Sequence, residues 1–357
     1  MNICLSAGGT GGHIYPAIAL ADALIEKGHT IFYIGNHDKM EAQIVKEKPY
    51  TFLPIQNEGL KPGILAKIKG ITSQFSAIRQ SKKYLKEHRI DLLISFGGYV
   101  TFPACVAAKS LKIPYFIHEQ NSIAGKANKA VQKSSEGIIV CFEDVIKQFN
   151  HPDIRFYGNP RATIAAKTQK DENYPQSIGL NPDLPIVYFV MGSLGSASMA
   201  KMVVKHLKDN PLDKYQFVIS AGTKNNDAYD EIKELENVHV FDHVDQLQIL
   251  KHCSLVISRA GATSIAEITA ALVPSIYIPS PYVVANHQYY NALELSNNGA
   301  TYLFEEKDLT ADKLFDAIND LLSHPQKLEA MSTASLKFAK VNAIDDIIRW
   351  VKGWLIN

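Results

Sequence analysis

Residues 2–24 read NICLSAGGTGGHIYPAIALADAL. Asn2–Ala7 is a short, mostly apolar run, and directly after it Gly8, Gly9, Gly11 and Gly12 surround Thr10. Apolar residues then continue to Leu24 in a helix-like stretch. A strand that passes through a glycine turn into a helix is the opening unit of a doubly wound α/β domain. So many glycines let the backbone approach an anion closely, and the helix start offers unpaired N–H groups at its positive end. The turn lacks the lysine and Ser/Thr of a P-loop, and its glycine spacing is not the dinucleotide fingerprint.

The same alternation continues through the chain. Strand candidates in the first half are Asn2–Ala7, Thr30–Gly35, Asp91–Phe96, Pro114–His118 and Gly137–Phe142. In the second half they are Ile186–Met191, Gln216–Ala221, Val238–Phe241, Leu255–Ser258 and Ser275–Pro279. Several are near-continuous apolar runs, as expected of a parallel sheet covered by helices on both faces. Two βαβ series imply two doubly wound domains, with the break near Pro160, before the polar segment Lys167–Pro185. The halves open alike: GGTGGH at 8–13 corresponds loosely to GSLGS at 192–196. Two such sheets facing across a cleft would bring glycine loops to both walls, at the carboxyl ends of the strands.

Composition narrows the function classes. The 357 residues are too many for one ordinary core. At 46% hydrophobic and 20% charged the chain reads as globular, and a net charge of +1 gives no reason to expect nucleic acid. Cys4, Cys105, Cys141 and Cys253 lie far apart in apolar stretches, which reads as reduced core thiols of a cytoplasmic protein. MNICLSAGG has no leader-like pattern, so secretion is not expected. No run of about 18 apolar residues appears, so membrane contact would be peripheral.

Five further segments carry candidate chemistry. FGGYVTFPA, residues 96–104, is a second glycine turn after a strand, with Gly97, Gly98 and Tyr99. HEQNSIAGKANK, 118–129, puts His118, Glu119, Gln120 and Asn121 at the carboxyl end of an apolar strand. Polar groups placed there are either bound into a satisfied network or functional. MGSLGS, 191–196, suits a phosphate through backbone N–H and the Ser193 hydroxyl. SRAGATSIAE, 258–267, repeats the strand–turn–helix design and ends on Glu267. That carboxylate can accept both ribose hydroxyls, or serve only as a favourable charge near a helix start. PYVVANHQYYNA, 281–292, gathers Asn286, His287, Gln288 and Asn291, which suit sugar hydroxyls.

Together these segments resemble the MurG family, from residue 3 to about residue 300 and in family order. HEQNSIAGKANK and SRAGATSIAE in one chain are its most specific marks. The resemblance implies a GT-B fold, with residues 1–160 plus a returning C-terminal helix, 341–357, as the acceptor- and membrane-binding domain. Residues 161–340 would then bind UDP-GlcNAc. The implied reaction moves GlcNAc, with inversion, onto the muramoyl 4-hydroxyl of lipid I, undecaprenyl-pyrophosphoryl-MurNAc-pentapeptide. On that analogy Ser193 meets a donor phosphate, Glu267 the ribose and His243–Val244 the uracil. Ala262, Thr263, Ser264 and Gln288 hold the sugar end, Arg161 lies near the nucleotide and Arg259 near the phosphates. Thr10, Gly11, Gly12 and Asn121 line the acceptor side and reach the donor, while Gly97, Gly98, Tyr99 and Asn128 serve the acceptor. His13 is the first choice for the base or a pyrophosphate contact; Glu119 or His118 is the second, and the sequence does not decide among them.

The resemblance implies no cofactor, and the chain holds no Asp-x-Asp element that would point to a metal. Departures from the family pattern are Met191 and Leu194 for Gly and Gln in the phosphate turn, Ala200 for an Asn, and Ala285 for an acidic residue. They put side-chain contacts of that turn in doubt and leave its backbone role intact. The rival readings are another GT-B enzyme such as a UDP-GlcNAc 2-epimerase, a catalytically silent nucleotide-sugar sensor, and a dinucleotide oxidoreductase.

Residues 61–90 carry Lys61, Lys67, Lys69, Arg79, Lys82, Lys83, Lys86 and Arg89 against one acid, Glu87. Ile64, Leu65, Ile68, Ile71 and Phe75 interleave at roughly helical spacing. Such a segment can lie on an anionic membrane surface, each basic residue contributing on the order of 1 kcal/mol; a solvated helix with a core-facing stripe would look similar. The last segment carries Ile344, Ile347, Ile348, Trp350, Val351, Trp354 and Leu355, too much apolar surface to leave in water.

Overall fold

In the computed structural model the chain divides into two compact units, Met1–Arg161 with Asn342–Asn357, and Ala162–Val341. The structure describes residues 1–57, 64–222 and 226–355. The first unit is built on a parallel sheet of β1 (Asn2–Ser6), β2 (Thr30–Asn36), β3 (Thr51–Ile55), β4 (Leu92–Ser95), β5 (Tyr115–Glu119), β6 (Gly137–Val140) and β7 (Ile154–Arg155). Their order is β3-β2-β1-β4-β5-β6-β7. The second has β8 (Ile186–Val190), β9 (Gln216–Ser220), β10 (Val238–Phe241), β11 (Leu255–Ser258), β12 (Ser275–Tyr277) and β13 (Thr301–Leu303). These run in the order β10-β9-β8-β11-β12-β13, again all parallel.

The central strands are apolar on both faces because both faces are covered. Ile3, Cys4, Leu5, Leu92, Leu93, Ile138 and Ile139 are buried in the first unit, and Val187, Phe189, Phe217, Ile219, Val256 and Ile257 in the second. Three strands were not anticipated from sequence, β3, β7 and β13, and each is a sheet edge. β3 contains Pro54, which reads as a break in a central strand; at an edge the missing N–H is tolerated. β7 and β13 have two and three residues, too few to show a periodicity.

The helix Ala343–Leu355 belongs to the first unit and buries Ile344, Ile347, Ile348 and Val351 there. The Trp350 indole stands edge-on to Phe116 at 5.0 Å and to Tyr157 at 5.7 Å. A Cβ on Gly137 would lie 2.2 Å from that indole, so β6 begins with glycine because the ring occupies the space. The helix Ile64–Glu87 turns Ala77, Ser81 and Leu85 inward and leaves Ile71 49% and Phe75 69% exposed. Lys61 of the basic segment lies outside the described residues, as do the side chains of Ile64, Leu65, Lys67, Ile68 and Lys69. Among the described residues no helix is long and apolar enough to cross a membrane.

Candidate functional site

In an open parallel sheet the ligand crevice forms at the carboxyl ends of two neighbouring strands whose connections leave in opposite directions. Each unit has one such point: β1 beside β4 in the first, and β8 beside β11 in the second. The glycine turns read from the sequence follow these four strands.

In the first unit the turns after β1 and β4 interlock. Gly98, at φ 83°, lies so close to the first turn that a Cβ there would sit 2.1 Å from the Gly8 carbonyl oxygen. Beneath them a buried hydroxyl chain runs from Ser6 to Ser95 (2.8 Å) to Thr101 (2.9 Å). Behind the first turn sits Glu41, fully buried, whose carboxylate accepts the N–H of Gly9 (3.2 Å) and of Asn36 (2.9 Å). The Asn36 side chain accepts the Asn57 N–H (2.9 Å), and the Asn57 amide donates to the Tyr99 carbonyl (2.6 Å). A single polar chain therefore ties both turns together. The Gly9 N–H, in a turn expected to meet a bound anion, is taken by the protein's own Glu41.

The helix Gly11–Glu26 starts from this platform, with Thr10 and Gly9 exposed and Gly11, Gly12 and His13 half-exposed. His13 Nδ1 lies 3.3 Å from Thr10 Oγ1, and its ring packs over Gly97, where a Cβ would meet the ring at 2.6 Å. The Tyr99 ring is exposed.

The other two candidates for a base carry structural loads. His118 is fully buried and stacks on Phe96 at 4.7 Å. Its Nε2 is 3.1 Å from the Gly158 carbonyl and Nδ1 is 2.9 Å from the Gln120 amide nitrogen, so Nε2 carries the proton and Nδ1 accepts. Burial lowers its pKa to about 3, so it is neutral and has no ring nitrogen left for a substrate. Glu119 is 2% exposed and accepts from the N–H groups of Asn121 (3.1 Å) and Gly125 (2.8 Å) and from the Asn128 amide (2.8 Å). Burial raises its pKa and these bonds lower it again in part. It shapes the connection from Asn121 into the helix Lys126–Val131; Asn121 stays half-exposed and Asn128, in that helix, is buried.

In the second unit Ser193 is exposed in the turn after β8, where Gly192 and Gly195 take φ 86° and 69°. This turn lies on Gly222, after β9, whose added Cβ would be 2.8 Å from the Ser193 carbonyl oxygen. After β11 the helix Ala262–Ala270 begins; Ala262 is buried, Thr263 and Ser264 are half-exposed, and Glu267 is 4% exposed. The Glu267 carboxylate accepts from the Gln246 side-chain amide, in the short helix that follows His243–Val244. Gln288 accepts from the Ser280 N–H at 2.9 Å, which turns its carbonyl inward and leaves its NH2 for other partners. Arg259 is 8% exposed and held by two backbone carbonyls, Ser196 and Glu306. Arg161 is the last residue of the first unit's main segment, in the opening turn of the helix Pro160–Lys167.

The structure thus brings Thr10–His13, Gly97–Tyr99 and the 118–128 group to the carboxyl ends of β1, β4 and β5. It gathers Ser193, His243–Val244, Arg259, Ala262–Ser264, Glu267 and Gln288 around those of β8, β10, β11 and β12. Sequence reading missed Glu41, Asn36, Asn57, Gln246 and Glu306. Each is a polar residue in an ordinary-looking stretch, and only the fold reveals what it touches.

Comparison with known proteins bears on both units. The chain matches the glycosyltransferase family 28 N-terminal domain over residues 3–140 and the glycosyltransferase family 28 C-terminal domain over residues 186–347. It is 36% identical over 365 residues to a UDP-N-acetylglucosamine--N-acetylmuramyl-(pentapeptide) pyrophosphoryl-undecaprenol N-acetylglucosamine transferase of Listeria welshimeri, covering 99% of each chain. A protein of the same name from Halalkalibacterium halodurans is 35% identical over 360 residues, with 99% of each chain covered. Among solved structures, MurG of Acinetobacter baumannii is similar in fold, with TM-score 0.78, 24% identity and 99% of each chain covered.

Proposed function

This chain belongs to glycosyltransferase family 28, within the MurG family of N-acetylglucosaminyltransferases, and we propose that it transfers GlcNAc from UDP-GlcNAc to lipid I in peptidoglycan synthesis. The acceptor group is the 4-hydroxyl of the muramoyl residue, and the product is lipid II. The observation that carries this reading is that the likeness runs through both halves of the chain. HEQNSIAGKANK stands at the carboxyl end of β5, and SRAGATSIAE spans the end of β11 and the helix after it.

The reaction is one displacement with inversion. His13 takes the proton from the acceptor hydroxyl, the oxygen bonds to the anomeric carbon of GlcNAc, and UDP departs with the electron pair of the broken bond. His13 fits this role better than Glu119 or His118 because its ring is half-exposed beside Thr10 and the glycine turns, while the Glu119 carboxylate and the His118 ring are locked into buried bonds. Thr10, Gly11, Gly12, Gly97, Gly98, Tyr99, Asn121 and Asn128 line the acceptor side in this reading. On the donor side Ser193 and the turn after β8 hold phosphate, Glu267 the ribose and His243–Val244 the uracil edge. The helix start at Ala262 and Gln288 hold the sugar, with Arg161 near the nucleotide. Arg259 and backbone N–H groups stabilise the charge on departing UDP.

The same reading places the protein peripherally on the cytoplasmic face of the bacterial cell membrane. Supporting it, Ile71, Phe75, Arg79, Lys82, Lys83 and Lys86 are all exposed on the helix Ile64–Glu87. This is a composition suited to an anionic leaflet.

The test is transfer of radiolabelled GlcNAc from UDP-GlcNAc to a short-chain lipid I analogue, with and without chelator. Product formed in both conditions supports donor, acceptor and a reaction that needs no metal. Saturable UDP-GlcNAc binding without transfer would move the assignment to a different acceptor or to a sensor.

A further inference from the structure

The expectation for Arg259 was a cation beside the donor phosphates, and the structure gives that cation an anion of its own. One guanidinium nitrogen, Nη1, donates to the carbonyl oxygens of Ile278 (2.9 Å) and Pro279 (3.2 Å), which fixes the plane of the group. The other, Nη2, donates to Ser196 Oγ (2.9 Å) and lies 2.6 Å from Glu306 Oε2, without the alignment of a hydrogen bond. The second carboxylate oxygen of Glu306 accepts from Ser198 Oγ, and the two serine hydroxyls are 3.1 Å apart. The Glu306 carboxylate thus rests on a guanidinium and a hydroxyl, beside the MGSLGS turn. Those are the donors that a phosphate oxygen takes.

The backbone that carries Glu306 is a short edge connection. The residue follows β13, a three-residue edge strand, and begins a short turn over Glu306–Asp308. That turn is closed by Asp308 N–H to the Glu305 carbonyl (3.0 Å), Leu309 N–H to the Glu306 carbonyl (3.4 Å) and Lys313 Nζ to the Asp308 carbonyl (3.0 Å). A carboxylate on such a tether can leave when a more highly charged anion arrives, while Arg259, pinned by two carbonyls, stays in place.

We propose that Glu306 is an internal occupant of the donor phosphate site, seated on Arg259 and Ser198, and that the diphosphate of the donor must displace it. Glu306 is then a determinant of donor affinity: it neutralises Arg259 in the empty protein and gives way to a nucleoside diphosphate. The inference rests on the donor reading above.

Calorimetric titration with UDP tests it. Glu306→Gln keeps the shape and removes the competing charge, so UDP binds about five- to tenfold tighter, the factor by which self-occupancy depletes the open site. Glu305→Gln is the control, because Glu305 pairs with Lys307 at 3.3 Å and makes no contact with Arg259 in the bonds described; its UDP affinity stays at the wild-type value. In the wild type, saturating UDP speeds hydrogen exchange at the Asp308 and Leu309 amides, a readout that needs no variant. UDP affinity unchanged or weaker in Glu306→Gln, equal tightening in Glu305→Gln, or exchange at those amides not accelerated would each overturn the proposal. A wild-type protein that does not bind UDP at all would instead remove the donor reading, and this inference with it.

Discussion

The two switch points share a topology and differ in chemistry. At β1 and β4 the turns interlock through Gly8 and Gly98, and the buried group behind them is a carboxylate, Glu41, bonded to backbone N–H. At β8 and β11 the buried group is a cation, Arg259, whose charged partner hangs on a short edge turn. The first is a platform braced by buried hydrogen bonds, on which a reacting group can be aimed; the second is a place where one anion can be exchanged for another. The fold supplies the crevice in both units, and a few buried polar residues decide what each is suited to do.

The largest effect should come from the group aimed by the first platform. His13→Ala should lower kcat of GlcNAc transfer about 1000-fold, within the range for loss of a general base. The KM for UDP-GlcNAc should change little. A rate within threefold of wild type would end the assignment of His13 as base. It would also reopen Glu119, despite its buried bonds.

The two glycine turns can be set against each other by one substitution in each. Gly98→Ala meets both a positive φ and the Gly8 carbonyl, so it should destabilise by about 3 kcal/mol or more and lower transfer with it. Gly192→Ala has the same φ problem at 86° but nothing within 4 Å of the new methyl, so its cost should be about 1 kcal/mol. Denaturant midpoints measure both. Equal losses would mean that the first platform is not braced in the sense argued here.

Glu267→Ala probes the second unit alone. It removes the carboxylate proposed to hold the ribose and leaves Gln246 without that partner, so UDP-GlcNAc affinity should fall about 10- to 100-fold. The thermal midpoint should move far less than that loss suggests. Unchanged affinity in calorimetry would remove Glu267 from the donor contacts.

What the sequence revealed follows from what its signals measure. Buried parallel strands are apolar along most of their length, so β1, β4, β8 and β11 were legible, and with them the turns that end them. The edge strands β7 and β13 are too short for that signature, and β3 was concealed by Pro54, which is tolerated there because of the edge. The terminal helix was legible from Ile347, Trp350 and Val351, since apolar residues in such number must be covered. Glu41 and Glu306 were not. A carboxylate reads alike whether it is solvated, bonded to a glycine N–H or seated on an arginine, and the distinction depends on partners far away in sequence. For His118 the sequence left a satisfied network and a functional role both open at the strand end; the stack on Phe96 and the bond to Gly158 favour the network, through partners far away in sequence.

The His118 imidazole, in the first unit, carries the smallest and most specific expected effect. Burial holds His118 at about 3, against an ordinary 6.5, so the native protein refuses a proton that the unfolded chain accepts. Above pH 6.5 both states are neutral there and the residue adds no pH dependence. As pH falls from 6.5 towards 3 the unfolded state takes up the proton and native stability declines. The slope from this one group reaches at most about 1.4 kcal/mol per pH unit. His118→Gln removes the titration and keeps a side chain that can bond Gly158, so its stability should be flatter over the same window than the wild type's. Unfolding midpoints at matched ionic strength, taken between pH 7 and about 5, read the difference. Parallel curves for the two proteins would mean that His118 takes up its proton in the folded state, and the buried neutral imidazole would have to be abandoned, along with its exclusion as a base.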